Sequence, residues 1–106
     1  DEYPDEIELV ISNNDDMALG AAEALERKKI TRPIKIVGID GTPQGVEGLK
    51  SGKLFGTVQC DSDEYGSVMF QIAAAAGLGQ NVQEIVSLED GKYYNCRQTA
   101  LTAGEN

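Results

Sequence analysis

Residues 10–25, VISNNDDMALGAAEAL, pass from an apolar run through four polar residues into an alanine-rich segment. The run at residues 7–12, IELVIS, is typical of a short buried strand. The alanine-rich segment repeats apolar residues at helical spacing, which predicts a helix with one narrow apolar face. These residues are Met17, Ala18, Ala21, Ala22 and Leu25. The polar residues from Asn13 to Asp16 have two interpretations: a helix cap, or a polar mouth at a sheet edge that holds a small ligand.

The same alternation continues along the chain. Residues 34–39, around KIVGI, predict a second buried strand, which ends at Asp40. Thr42 followed by Pro43 predicts a helix N-terminus, because Pro is favoured at the first helical position. Residues 54–60 predict a third strand. This order of strands and helices predicts βαβ units and therefore an α/β fold with a mainly parallel sheet.

The pattern changes after the third strand. Residues 61–65, DSDEY, predict an acidic helix start, and the Ala-rich helix that follows runs to residue 78. A short run, EIVSL, and a turn at EDG come next. Residues 92–101, KYYNCRQTAL, then predict a last strand, because aromatic and β-branched residues favour strands.

Composition favours binding over catalysis. The 106 residues make one domain or a piece of a larger one, and their net charge of −9 disfavours nucleic acid and anionic membranes as partners. No apolar run approaches the roughly 20 residues that a bilayer span requires. Histidine is absent, and the two cysteines are not spaced as a redox pair. We therefore expect no enzyme, and the cysteines are either free thiols or one disulfide.

Polar side chains follow the predicted strands at their carboxyl ends, where open parallel sheets bind ligands. Asn14 follows the first strand, Asp40 ends the second, and Cys60 ends the third. Carboxylates and carboxamides suit a neutral ligand rich in hydroxyl groups. The structural alternatives are that Asn14 or Asp15 only caps a helix, and that Asp40 is only a turn residue.

Three segments together resemble the later part of the periplasmic sugar-binding proteins of ABC transporters, most closely the galactose/glucose and ribose binders. They are NNDDMALGAAEAL at residues 13–25, VGIDGTPQGVEGLKSGKLFGTV at 37–58, and QCDSDEYG at 59–66. The resemblance implies the second lobe of a type I periplasmic binding protein, which is a Rossmann-like three-layer α/β/α fold. Two such lobes, joined by three crossing strands, close on a sugar.

The resemblance also implies a site and its partners. Asn14 and Asp40 match positions that contact sugar hydroxyls, while Cys60 stands where relatives carry Asn or Gln. The implied ligand is a monosaccharide of the galactose/glucose or ribose type, delivered to the membrane permease of an ABC importer. The implied location is periplasmic or extracytoplasmic, as a lipoprotein in a Gram-positive cell. Glu8 coincides with a calcium ligand of the galactose/glucose binders, with a solvated surface carboxylate as the alternative; no other cofactor is expected.

By resemblance, residues 1–61 belong to the C-terminal lobe, residues 62–90 form a helix and connection that pack on the first lobe, and residues 91–106 return as a hinge strand and tail. Without the first lobe we expect sugar to bind more weakly than millimolar, with no affinity measurable by isothermal titration. The Ala-rich face of the helix would then be exposed, or buried against a second copy in a swapped homodimer. Cys60 and Cys96 map to neighbouring hinge strands, which implies a cross-strand disulfide in an oxidising compartment, with two separate thiols as the alternative.

Rival functions share parts of this pattern. The sensor domain of a LacI-type regulator has the same fold and similar motifs, but the acidity, the GTPQG segment and the cysteine pair favour the transport protein. A phosphoacceptor receiver domain would place its aspartate after the third strand, whereas Asp40 ends the second. A hydrolase lacks a nucleophile–base pair without histidine.

Overall fold

The computed structural model describes residues 2–3 and 5–104 and confirms the predicted alternation of strands and helices. The sheet order is β1-β2-β3-β4, and the fold is α/β, as expected for a Rossmann-like lobe. The elements are β1 (Leu9–Ile11), α1 (Asp15–Arg27), β2 (Lys35–Asp40), α2 (Pro43–Lys50), β3 (Gly56–Cys60), α3 (Ser62–Gly77), α4 (Val82–Ile85) and β4 (Gln98–Thr102).

The first three strands are parallel. Ile11 of β1 pairs with Val37 of β2, and Asp40 of β2 pairs with Gln59 of β3. Strand β4 is antiparallel to β3, since the amide of Ala103 donates to the carbonyl oxygen of Phe55 whereas the amide of Asp61 donates to that of Arg97. The sheet is therefore mixed but mainly parallel.

The chain divides into two compact units. The first unit runs up to Gln59 and resumes at Thr99, and the second unit is Cys60–Gln98.

The core of the first unit lies where α1 packs on β1, β2 and α2. Its buried apolar side chains are Ala18, Ala22, Ile36, Leu49 and Leu54. Met17, expected on the apolar face of α1, is 56% exposed. Asp15 takes the inward position in the first turn instead, in line with Ala18 and Ala22.

The two faces of the sheet differ. Successive side chains of a strand point to opposite faces, so Ile36 and Gly38 lie on the face toward α1 while Val37 and Ile39 lie on the other. The second face carries an apolar depression of about 330 Å³, lined by residues of all four strands and by Phe55, which directly precedes β3.

The second unit contains α3, α4 and the segment that leads to β4. Ala75 is the buried residue of α3. Large side chains in and just after this helix are exposed: Tyr65, Met69, Phe70 and Leu78.

The prediction of a strand over residues 92–101 is wrong in its first half, because β4 begins at Gln98. Side-chain contacts replace strand pairing there. The hydroxyl of Tyr94 donates to Glu64 Oε1 at 2.6 Å, and the amide of Arg97 donates to Glu64 Oε2 at 3.0 Å. A single antiparallel bridge joins Tyr93 to Glu89.

Candidate ligand-binding site

Asn14 is the N-cap of α1 and also keeps free hydrogen-bond donors. Its backbone is extended, and its Oδ1 accepts a hydrogen bond from the amide of Met17 at 2.8 Å. Because capping uses only the oxygen, the two N–H groups of the side chain remain without a partner among the described residues. The capping and ligand-binding interpretations of Asn14 are therefore compatible.

Asp40 ends β2 in an unusual backbone conformation. Its φ is +114°, a region that residues other than glycine rarely adopt, and its side chain is exposed. Gly41 follows with a φ of +68°, and a Cβ there would lie 2.8 Å from the Cα of Gln59. The turn is pressed against β3, and strain of this kind clusters at functional sites.

The fold brings Asn14 and Asp40 to the same edge of the sheet. Ile11 of β1 pairs with Val37 of β2 in parallel register, and each polar residue lies three positions beyond that pair. Both are therefore at the carboxyl end of neighbouring strands. The amide of Asn14 can donate to a hydroxyl group and the carboxylate of Asp40 can accept from one, so the edge suits a neutral polyhydroxyl ligand.

Asp15, which the sequence places in a helix cap or in a polar mouth, lies behind the edge that carries Asn14 and Asp40. Its side chain is fully buried and accepts hydrogen bonds from the amide and hydroxyl of Thr42, at 2.9 and 3.4 Å, and from the hydroxyl of Thr57 at 2.5 Å. The signal in the sequence is spacing: Asp15 precedes Ala18 and Ala22 on the inward face of α1. An acidic residue in phase with a buried face requires partners from other elements.

Cys60, the third predicted contact, is half-buried at the end of β3 and begins the second unit. Its ligand role stays a prediction. Cys96 is also half-buried, and both cysteines are free thiols in the structure. Burial, with Glu64 and Cys60 as smaller causes, raises the pKa of the Cys96 thiol. The disulfide between them also stays a prediction.

Glu64 organises part of the second unit through its carboxylate. The hydrogen bond from Tyr94 and the bond from the Arg97 amide hold the pKa of Glu64 below its ordinary value. The same bond to Glu64 raises the pKa of Tyr94. Both side chains are only partly buried, so solvent weakens their electrostatic coupling.

Glu8, the predicted calcium ligand, is exposed. Calcium takes six to eight oxygen ligands. Within residues 2–3 and 5–104, no group of three or more aspartate, glutamate, cysteine or histidine side chains is arranged to hold a metal ion. The described residues therefore do not fit a calcium ion by themselves.

Comparison with known proteins identifies the family. The model of the periplasmic binding protein domain matches residues 1–81 of this chain. The chain therefore belongs to the periplasmic binding protein family.

Among its relatives, the D-galactose/methyl-galactoside binding periplasmic protein of Haemophilus influenzae is 38% identical over 79 residues, which is 74% of this chain and 23% of that protein. The ribose import binding protein of Salmonella typhimurium is 37% identical over 81 residues, 76% of this chain and 27% of that protein. The xylitol-binding protein of Mycolicibacterium smegmatis is 37% identical over 78 residues, 74% of this chain and 22% of that protein.

A solved structure of a protein from Mycobacterium smegmatis matches with a TM-score of 0.63 and 28% identity, covering 98% of this chain and 33% of that one. This chain thus spans between about a fifth and a third of the length of the proteins it matches. Across the described part of the chain, no helix combines the length and apolar character needed to cross a membrane.

Proposed function

We propose that this chain supplies one half of a monosaccharide-binding site in an extracytoplasmic solute-binding protein that delivers its sugar to an ABC importer. The observation that supports it is the placement of Asn14 and Asp40 at one carboxyl edge, each with hydrogen-bonding capacity that the described residues leave unused. The strained backbone of Asp40 adds to it, since a simple turn at this position would favour glycine.

The relatives support the ligand class and the transport role. Those named above bind galactose, ribose and xylitol by their names, and one is an import protein. All three ligands are neutral and rich in hydroxyl groups, which matches a donor amide next to an acceptor carboxylate. Because the named relatives are binding proteins, we favour this function over a LacI-type regulator and over any enzyme.

The expected affinity of the 106-residue chain alone is low. Asn14 and Asp40 provide a few exposed hydrogen bonds, each contributing about 1 kcal/mol net. A dissociation constant of 1 mM already needs about 4 kcal/mol. We therefore expect sugar to bind more weakly than millimolar, with the remaining contacts supplied by other parts of a longer protein.

The test is an NMR titration of the 106-residue chain with D-galactose and D-ribose up to about 100 mM, about a hundredfold above the dissociation constant of 1 mM just given. We expect shift changes at the side-chain amide of Asn14 and at the backbone of Asp40 and Gly41. Asn14→Ala and Asp40→Asn should each abolish these changes. Asn13→Ala is the matched control, because Asn13 is an exposed neighbour outside the proposed site and its removal should change nothing. Shift changes that avoid this edge, or micromolar binding, would contradict the proposal.

The remaining parts of the proposal concern the longer protein. The other lobe would cover α3. Where that lobe is absent, the apolar face of α3 is either exposed or covered by a second copy in a swapped homodimer, and light scattering during gel filtration distinguishes the two. The family and the ribose import relative support the proposed permease contact and extracytoplasmic location. Calcium at Glu8 would require oxygen ligands beyond those that the described residues bring together there.

A further inference from the structure

The buried carboxylate of Asp15 joins three elements of the first unit. It lies on the first residue of α1 and receives hydrogen bonds from Thr42, the N-cap of α2, and from Thr57 in β3. Thr42 in turn accepts a hydrogen bond from the amide of Gly45 at 3.0 Å. Each buried polar side-chain atom among the described residues has a partner, so the network is complete.

The surroundings of Asp15 fit a carboxylate closely. Both helix N-termini at this point, those of α1 and α2, carry partial positive charge that favours an anion. A Cβ on Gly38 would collide with Asp15 Oδ1, and a Cβ on Gly45 would collide with Asp15 Oδ2. The two glycines therefore leave space that the carboxylate fills, and no larger side chain would fit there.

The network connects the two proposed ligand residues. Asn14 directly precedes Asp15, and Thr42 follows Asp40 by two positions. The bond between the Thr42 amide and Asp15 Oδ2, at 2.9 Å, thus ties the end of the β2 turn to the start of α1. The next residue of the turn, Gly41, is held close against Gln59. Asp40, with its φ of +114°, directly precedes these two fixed points.

We infer that Asp15 is a positioning residue: its carboxylate fixes the Asp40 turn and thereby the separation of the Asn14 amide from the Asp40 carboxylate. It contacts no ligand and acts through Thr42. This inference rests on the proposed function for its biological purpose, but the mechanical link can be tested without a sugar. A loose turn would let Asp40 relax toward φ values that residues other than glycine prefer.

The first test is Asp15→Asn, which keeps the size of the side chain but replaces one acceptor oxygen by a donor. The three-bond HN–Hα coupling of Asp40 reports its φ directly and should move toward the value of an extended backbone. Hydrogen exchange at the Thr42 amide should accelerate at least about tenfold, as expected when a charge-assisted hydrogen bond is lost. A residue that only stabilised the fold would leave the Asp40 coupling unchanged in the folded protein.

A second pair of variants keeps the inference testable if Asp15→Asn does not fold. Thr57→Val removes one donor to Asp15 with little change in shape, whereas Thr57→Ser retains the hydroxyl. We expect Thr57→Val to shift the Asp40 coupling in the same direction by a smaller amount, and Thr57→Ser to restore the wild-type value. An unchanged Asp40 coupling in folded Asp15→Asn or in Thr57→Val overturns the inference.

The sugar titration separates this inference from the proposed function. If the wild-type chain shows no shift changes at Asn14 and Asp40, the proposed function fails, while the Asp40 coupling still decides the role of Asp15. If the wild type responds to sugar, we expect Asp15→Asn to weaken the response at both residues at least about tenfold, although neither has been substituted. A response of wild-type strength in that variant overturns the positioning role.

Discussion

The two compact units of this chain treat polar and apolar side chains in opposite ways. The first unit buries the Asp15 carboxylate of α1 completely and satisfies it with donors from two other elements, while its aliphatic side chains form a buried core beside it. The second unit leaves Met69 and Phe70 exposed on α3, and the Glu64 carboxylate that binds Tyr94 and the Arg97 amide is only partly buried. Buried polar groups need defined partners, so the first unit specifies its geometry through packing. The second unit instead exposes large apolar side chains to solvent.

The largest effect expected from this contrast comes from removing apolar side chains. Leu49→Ala in the first unit should destabilise the protein by about 2–5 kcal/mol, because Leu49 is 2% exposed and its removal leaves a cavity. Phe70→Ala on α3 should cost less than about 0.5 kcal/mol, since Phe70 is 73% exposed. Urea unfolding followed by circular dichroism measures both. Equal losses would mean that α3 is covered in solution, as in the swapped homodimer.

Two glycines in helices give the next contrast. Gly45→Ala in α2 should destabilise by about 1–3 kcal/mol, because the new Cβ collides with the Asp15 carboxylate. Gly66→Ala in α3 meets nothing within 4 Å and should stabilise the helix by about 0.5–1 kcal/mol. Thermal unfolding of the two variants beside the wild type gives the comparison. Stabilisation by Gly45→Ala would mean that the Asp15 network is not packed as described.

A smaller effect, dependent on pH, is expected from Tyr94→Phe in the second unit. The lowered pKa of Glu64 stabilises the folded state above its unfolded pKa, and this is lost as the pH falls through the lowered value. The raised pKa of Tyr94 contributes stability below its unfolded pKa, lost as the pH rises through the raised value. The melting temperatures of wild type and variant should therefore differ most at neutral pH and converge at both extremes. Tyr93→Phe is the control, and the same pH profile for both variants would contradict the role of the bond.

The last comparison concerns the two cysteines and is made on the wild-type protein, without any substitution. If Cys60 and Cys96 pair under oxidising conditions, the unfolded protein should show no free thiols with Ellman's reagent until a reductant is added. Two free thiols in protein prepared without reductant would exclude the bond. Mass spectrometry of a proteolytic digest would confirm which residues are joined.

Much of the first unit could be predicted from sequence because its signals are local. Thr42 and Pro43 mark the start of α2 through capping chemistry, and the side chain of Thr42 does cap it. Apolar runs mark β1 and β2, and the parallel order then places Asn14 and Asp40 at one edge. Nothing in these steps depends on distant contacts.

The structure departs from the sequence-based predictions where contacts between distant residues decide the conformation. Residues 92–97 have strand propensity, but Glu64, about 30 positions earlier, binds Tyr94 and the Arg97 amide. These contacts replace the hydrogen bonds that would pair the segment with β3. The burial of Asp15 depends on Thr57, 42 positions away. No local pattern identifies such a partner in advance.

The backbone of Asp40 has a consequence for engineering. Substitution by glycine would relieve the positive φ and should raise the melting temperature, so a design procedure that optimises stability alone would choose this change early. The same substitution deletes the carboxylate. Under the proposed function, a thermostable variant obtained in this way would have lost one of its two sugar contacts.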